Sequence, residues 1–123
     1  NNSIILHDCL IDKKDGYSTI TDHKILIELD KRWPQLRFDY FTGINAQPHW
    51  RYEFTKHGTC GVKRYKQPAY FDLAMKLKDK FDLLTVLRNH GIKPGSTYLL
   101  KDIESAIMTV SIKKPSLKCI EKP

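Results

Sequence analysis

The stretch from Pro48 to Cys60, Pro-His-Trp-Arg-Tyr-Glu-Phe-Thr-Lys-His-Gly-Thr-Cys, constrains this chain more than any other. Proline suits a first helical position and glycine a helix end, so residues 48–57 are expected to form a helix closed near Gly58. At about 100° per residue, His49, Tyr52, Glu53, Lys56 and His57 share one sector of roughly 140°. Trp50 and Phe54 sit beside that sector, one turn apart, as anchoring aromatics. A carboxylate, an ammonium and an imidazole then stand on one face. A Glu–His pair at this spacing is commonly just a solvated pair worth a few tenths of a kcal/mol. Lys56 on the same face, and Cys60 just beyond the histidine, point past that reading towards proton-transfer chemistry.

The remaining pattern fits one domain of 123 residues. Thr21 or Asp22 can cap a helix over 23–32, with Ile25, Leu26, Leu29 and Trp33 on its packing face and Pro34 ending it. Ile4 to Leu6 and residues 36–41, with Leu36, Phe38, Tyr40 and Phe41 partly alternating, are expected strands, and Leu117 to Ile120 begins another. Asp12 to Gly16 is a charged turn. Pro68 opens a helical region of one bent helix or two, closed by Gly91 and Pro94. Asp102 caps a last helix with Ile103, Ala106 or Ile107, and Val110 inward. Lys63, Arg64 and Lys66 form a basic loop that could touch phosphates, though a solvated loop is the commoner explanation.

Charge bears on partners. Lys plus Arg number 21 and Asp plus Glu 14, a net +7 with neutral histidines, which suits a polyanion. No apolar run reaches 18 residues, so no transmembrane helix is expected, and no signal peptide is visible. Three cysteines, Cys9, Cys60 and Cys119, are an odd count for a secreted protein. A metal site from His7, Cys9, His57 and Cys60 is conceivable, although the spacing fits no zinc ribbon. Asn1-Asn2-Ser3 is a glycosylation sequon, which would imply secretion.

Residues 50–60 resemble the second active-site segment of the T-two family of secreted acid ribonucleases, Trp-x-His-Glu-Trp-x-Lys-His-Gly-Thr-Cys. Glu53, Lys56, His57, Gly58, Thr59 and Cys60 match in place; Tyr52 stands for the family's histidine and Phe54 for its tryptophan. The similarity extends to S-ribonucleases, the style proteins of self-incompatible nightshade-type plants. It runs through Leu29-Asp30-Lys31-Arg32-Trp33-Pro34-Gln35-Leu36, Arg64 to Gln67, Tyr70 to Ala74, Lys78 to Leu84, His90 to Gly95 and Asp102 to Ile107.

The resemblance implies an α+β fold, with several helices packed on a central antiparallel sheet. It implies that 1–123 is an internal fragment of a single ribonuclease domain, lacking terminal strands and an earlier Ile-His-Gly-Leu-Trp-Pro segment with the partner histidine. By the same analogy Cys9 pairs with Cys60, and Cys119 has its partner elsewhere. The implied activity is metal-free, cofactor-free endonucleolytic cleavage of single-stranded RNA through a 2′,3′-cyclic phosphate. His57 would be general base, with Lys56 and Glu53 supporting it, and His49 and Tyr52 binding base or phosphate. The implied biology is a secreted, monomeric style protein that enters pollen tubes and meets pollen F-box proteins. Its allele identity would lie near residues 1–20 and 42–49. A non-catalytic RNA-binding module is the competing class; it would need the charge and aromatics but no ordered Glu-Lys-His face.

Overall fold

The computed structural model describes residues 6–9 and 11–120. Asp22 is extended, and its carboxylate accepts hydrogen bonds from the backbone N–H groups of Lys24 and Ile25 at 2.9 and 3.2 Å. The first helix, α1 (His23–Arg32), therefore begins at the expected cap and stops before Pro34. Next come α2 (Tyr40–Ala46), α3 (Pro48–Lys56), α4 (Gln67–Lys80), α5 (Leu83–Asn89) and α6 (Leu100–Met108). The helical region after Pro68 is thus two helices, α4 and α5. Asp82 caps the second, accepting from the Thr85 N–H at 3.3 Å.

Gly91, at φ +74°, closes α5 in the left-handed conformation that a side chain disfavours. Its N–H donates to the Arg88 carbonyl at 3.0 Å and that of Ile92 to the Leu87 carbonyl at 2.9 Å. Asp102 does not cap the last helix. Leu99 precedes α6 without a side-chain cap, and Asp102 lies in the first turn.

The expected α+β architecture is not what forms: among the described residues there is no strand, so the central antiparallel sheet is absent from them. At 36–41 local backbone chemistry overrides the partial alternation. Leu36 and Phe38 N–H groups turn back to the carbonyls of Pro34 and Gln35. The Asp39 carboxylate then accepts from the Thr42 N–H at 3.0 Å and starts α2. Hydrogen bonding from Thr42, first from its side chain and then from its N–H, favours the carboxylate and holds the Asp39 pKa below its ordinary value. Residues 117–120 carry no regular structure, since a strand needs a neighbour to pair with. Of the expected strand at 4–6, residues 4 and 5 lie outside the described residues and Leu6 is irregular.

The chain divides into two compact units, Asn1–Lys78 and Asp79–Pro123. In the first, Leu26, Leu29, Trp50, Phe54, Val62 and Phe71 form the buried core, with Tyr17, Trp33 and Tyr70 packed around it. The Phe54 ring lies 5.3 Å from Tyr70 and 6.1 Å from Phe71. Cys9 and Cys60 are joined in a disulfide, with Cα atoms 5.0 Å apart across a separation of 51 residues. Closing such a loop restricts the unfolded chain and contributes about 4 kcal/mol. The Asp8 N–H donates to the Lys56 carbonyl at 2.6 Å, so the N-terminal segment is tied to the end of α3. In the second unit α5 packs on α6, where Ala106 is buried.

Candidate active site

The entry to α3 is fixed by Gln47, a buried residue in the left-handed conformation between α2 and α3. Its side-chain oxygen accepts from the Tyr17 hydroxyl at 2.6 Å and the Ile20 N–H at 2.9 Å. Its nitrogen donates to the carbonyls of Ile20 and Ile44 at 2.8 and 2.9 Å. Pro48 then takes the first helical position, as expected. Trp50 and Phe54 are fully buried, which anchors α3 and leaves Arg51, Tyr52 and Thr55 exposed, with His49, Glu53, Lys56 and His57 partly exposed beside the packed side. Gly58 must lack a side chain, because a Cβ there would collide with the Phe54 ring, coming within 2.9 Å of Cε2. The chain thus turns immediately after His57, and the Thr59 hydroxyl holds the turn by donating to the Thr55 carbonyl at 2.8 Å.

Among the described residues, His49, Tyr52, Glu53, Lys56 and His57 separate into two pairs and an imidazole whose ring has no partner. Glu53 Oε1 lies 4.0 Å from His49 Nδ1. Lys56 Nζ donates to the Tyr52 hydroxyl at 2.7 Å and stands 5.1 Å from the Tyr52 ring centre. This pairing with Tyr52, first through the hydrogen bond and then through charge, raises the Lys56 pKa; Asp8 and Glu53 add to the effect. The tyrosine in the histidine's place therefore accepts from the lysine.

His57 is half-buried and caps α3, its N–H donating to the Glu53 carbonyl at 2.9 Å. Among the described residues its ring makes no hydrogen bond or ion pair. The carboxylate–imidazole contact expected between Glu53 and His57 is made instead by Glu53 and His49, one turn earlier. His49, Tyr52 and Glu53 border a cleft of about 770 Å³ whose other wall carries Trp33, Arg37 and Phe38.

Several contributors lie outside the motif. The Trp33 indole N–H donates to His49 Nε2 at 3.1 Å. Buried Gln35 accepts the His49 backbone N–H at 2.9 Å and donates to the Gly43 carbonyl. The two contacts to His49 have no local sequence signal, since they join residues 16 and 14 apart in the chain. In the basic loop, Lys66 pairs with Asp15 at 3.7 Å and Arg64 stands over the Tyr65 ring at 5.7 Å. The conceivable His7–Cys9–His57–Cys60 metal site is not formed, because its two thiolates are consumed in the disulfide. Cys119 is free and exposed. Asn1 lies outside the described residues.

The sequence pattern of the Ribonuclease T2 family matches residues 4–123. Ribonuclease S-F11 of Nicotiana alata is 51% identical over 116 residues, covering 94% of this chain and 58% of its own length. Ribonuclease S-2 of Solanum tuberosum is 45% identical over 131 residues, covering 98% of this chain and 59% of its own length. The crystal structure of the self-incompatibility-associated SF11 ribonuclease of Nicotiana alata matches with a TM-score of 0.86 at 51% identity, over 94% of this chain and 58% of that one. Ribonuclease MC1 from bitter gourd seeds matches with a TM-score of 0.68 at 27% identity, over 89% and 54%. The chain spans about three fifths of the length of these S-ribonucleases. With the family pattern running over nearly every residue and these relatives alongside, the chain belongs to the Ribonuclease T2 family.

Proposed function

We propose that the protein carrying this chain is an endoribonuclease that cleaves single-stranded RNA through a 2′,3′-cyclic phosphate, and that it is the style determinant of gametophytic self-incompatibility. The observation that carries the proposal is the partly exposed side of α3, where Glu53, Lys56 and His57, whose ring has no partner among the described residues, follow in the order of the family's motif. RNA supplies its own nucleophile, so the reaction needs no metal. His57 removes the 2′-hydroxyl proton, and the 2′-oxygen attacks phosphorus. The bond to the 5′-oxygen breaks, and that oxygen takes a proton from a second imidazole, which the resemblance assigns to the Ile-His-Gly-Leu-Trp-Pro segment. Water then opens the cyclic ester to a 3′-phosphate. Positioned proton transfer contributes about 10²–10⁴-fold for each group.

Lys56, already drawn towards its charged form by Tyr52, offsets the charge that develops on the phosphoryl oxygens. Glu53 supplies negative charge one turn before His57 and favours the imidazolium that forms there. His49 and Tyr52 stand where base or phosphate would pass, beside a cleft with an arginine and aromatics in its wall. Secretion into the style, entry into pollen tubes as a monomer, and recognition by pollen F-box proteins complete the reading.

The test is RNA cleavage by the full-length protein without divalent metal. His57→Ala should abolish cleavage and leave the fold intact. Retained cleavage would remove His57 from the mechanism, while RNA binding by wild type without cleavage would favour the non-catalytic module.

A further inference from the structure

We propose that His49 is a positioning residue for Glu53, its neutral tautomer set by the Trp33 indole so that the Nδ1–H addresses the Glu53 carboxylate. The argument rests on the reading above only in taking Glu53 to serve the reaction. An indole nitrogen can donate a hydrogen bond and cannot accept one. Trp33 Nε1 faces His49 Nε2 at 3.1 Å, so Nε2 must present its lone pair and the ring hydrogen must sit on Nδ1. That atom is the one 4.0 Å from Glu53 Oε1. This separation exceeds a hydrogen bond. Catalytic contacts in unliganded sites are often long in this way and tighten when substrate binds.

Both ends of the relay are built from the core. The Trp33 carbonyl accepts the indole N–H of buried Trp50 at 2.9 Å, and its ring packs 6.2 Å from Phe71. The Trp33 and His49 rings meet edge to face at 5.8 Å. The His49 backbone is held by the Gln35 side chain at 2.9 Å. His49 therefore has little rotational choice, and its remaining donor faces the carboxylate across 4.0 Å. A histidine that served only as a base or phosphate ligand would not need its second nitrogen fixed.

The proposal is tested in the full-length protein. Nitrogen-15 shifts of the His49 ring should report the Nδ1–H tautomer in wild type and a mixture in Trp33→Phe, which keeps a packed ring but loses the donor. Turnover on a dinucleotide substrate should fall about tenfold in His49→Phe and Trp33→Phe, with KM within about twofold, as for a lost hydrogen bond to a charged group. His49→Asn, whose amide nitrogen can stand near the lost Nδ1, should recover most of the turnover missing in His49→Gln. In a Glu53→Gln background, His49→Phe should cost nothing more.

An Nε2–H tautomer in wild type overturns the proposal without any variant having to fold. So does an undiminished cost of His49→Phe beside Glu53→Gln, which leaves the catalytic reading of Glu53 standing. A Glu53→Gln protein of unchanged turnover would instead remove Glu53 from the reaction, and the function of the relay with it.

Discussion

The two units hold their helices by different means. In the first, Trp50, Phe54, Leu29 and Phe71 bury almost all their surface, and the Cys9–Cys60 disulfide closes over them. In the second, α5 and α6 are defined largely by backbone chemistry at their ends. The Asp82 cap and the Gly91 turn delimit α5, and a Lys114–Glu104 pair at 3.2 Å ties the chain beyond α6 back to that helix. Large side chains there stay open to solvent: Leu84 is 54% exposed and Ile112 99%. The difference teaches where precision is located. Proton transfer tolerates little displacement of its groups. The candidate catalytic face is carried by the helix whose other side is most completely packed.

Truncations should expose this contrast most strongly. Phe54→Ala removes a fully buried ring against which Tyr70, Phe71 and Gly58 pack, and should cost about 4 kcal/mol in urea unfolding of the full-length protein. Leu84→Ala, on the exposed side of α5, should cost less than about 1 kcal/mol. Equal costs would show that the two units are stabilised alike.

Gln47→Ala comes next, at about 3 kcal/mol. It strands the Tyr17 hydroxyl, the Ile20 N–H and two carbonyls at a buried hinge, a penalty greater than the loss of one bond. The left-handed backbone at position 47 persists in the variant, so no relief of strain offsets the loss. Asp82→Ala in the second unit removes an exposed cap and should cost about 1 kcal/mol. Hydrogen exchange would separate the two: the first change should loosen amides of α2 and α3, the second those of α5 alone. A larger effect from Asp82→Ala would reverse the ranking of the units.

What could be read from the sequence follows the same division between local and distant causes. The start of α1 at Asp22, the Pro48 start of α3, its buried Trp50–Phe54 side and the Gly91 end of α5 each depend on residues within a turn or two. All four were legible. Residues 36–41 misled because alternation over so short a run competes with one strong local bond from Asp39, and a strand also requires a partner. The face carrying Glu53, Lys56 and His57 was visible from helical spacing, but not how its members pair. Glu53 meets His49 because Trp33 and Gln35 fix that histidine, and both reach it from 14 or more residues away. Gln47 carries no motif at all; its importance lies in four bonds, three of them to residues near the start of the chain.

The smallest expected effect lies at alkaline pH. The Tyr17 phenol is half-buried and donates to Gln47, and burial pushes its pKa from 10.0 up to about 12, with the nearby Arg51 guanidinium working the other way. Above pH 10 the unfolded chain releases this proton while the folded one keeps it. The folded state then binds more protons, so stability falls as pH rises from about 10 through 12. Solvent around the half-exposed ring keeps the slope shallow. Tyr17→Phe cannot ionise, and it should lose this limb while its stability at neutral pH drops by about 1 kcal/mol for the missing hydroxyl. Hydrogen exchange should place the alkaline loss at residues 17–20 and the α2–α3 hinge, where Gln47 ties the loop to the core. An alkaline limb of the same depth in Tyr17→Phe would assign it to another group and leave the hinge uncoupled from Tyr17.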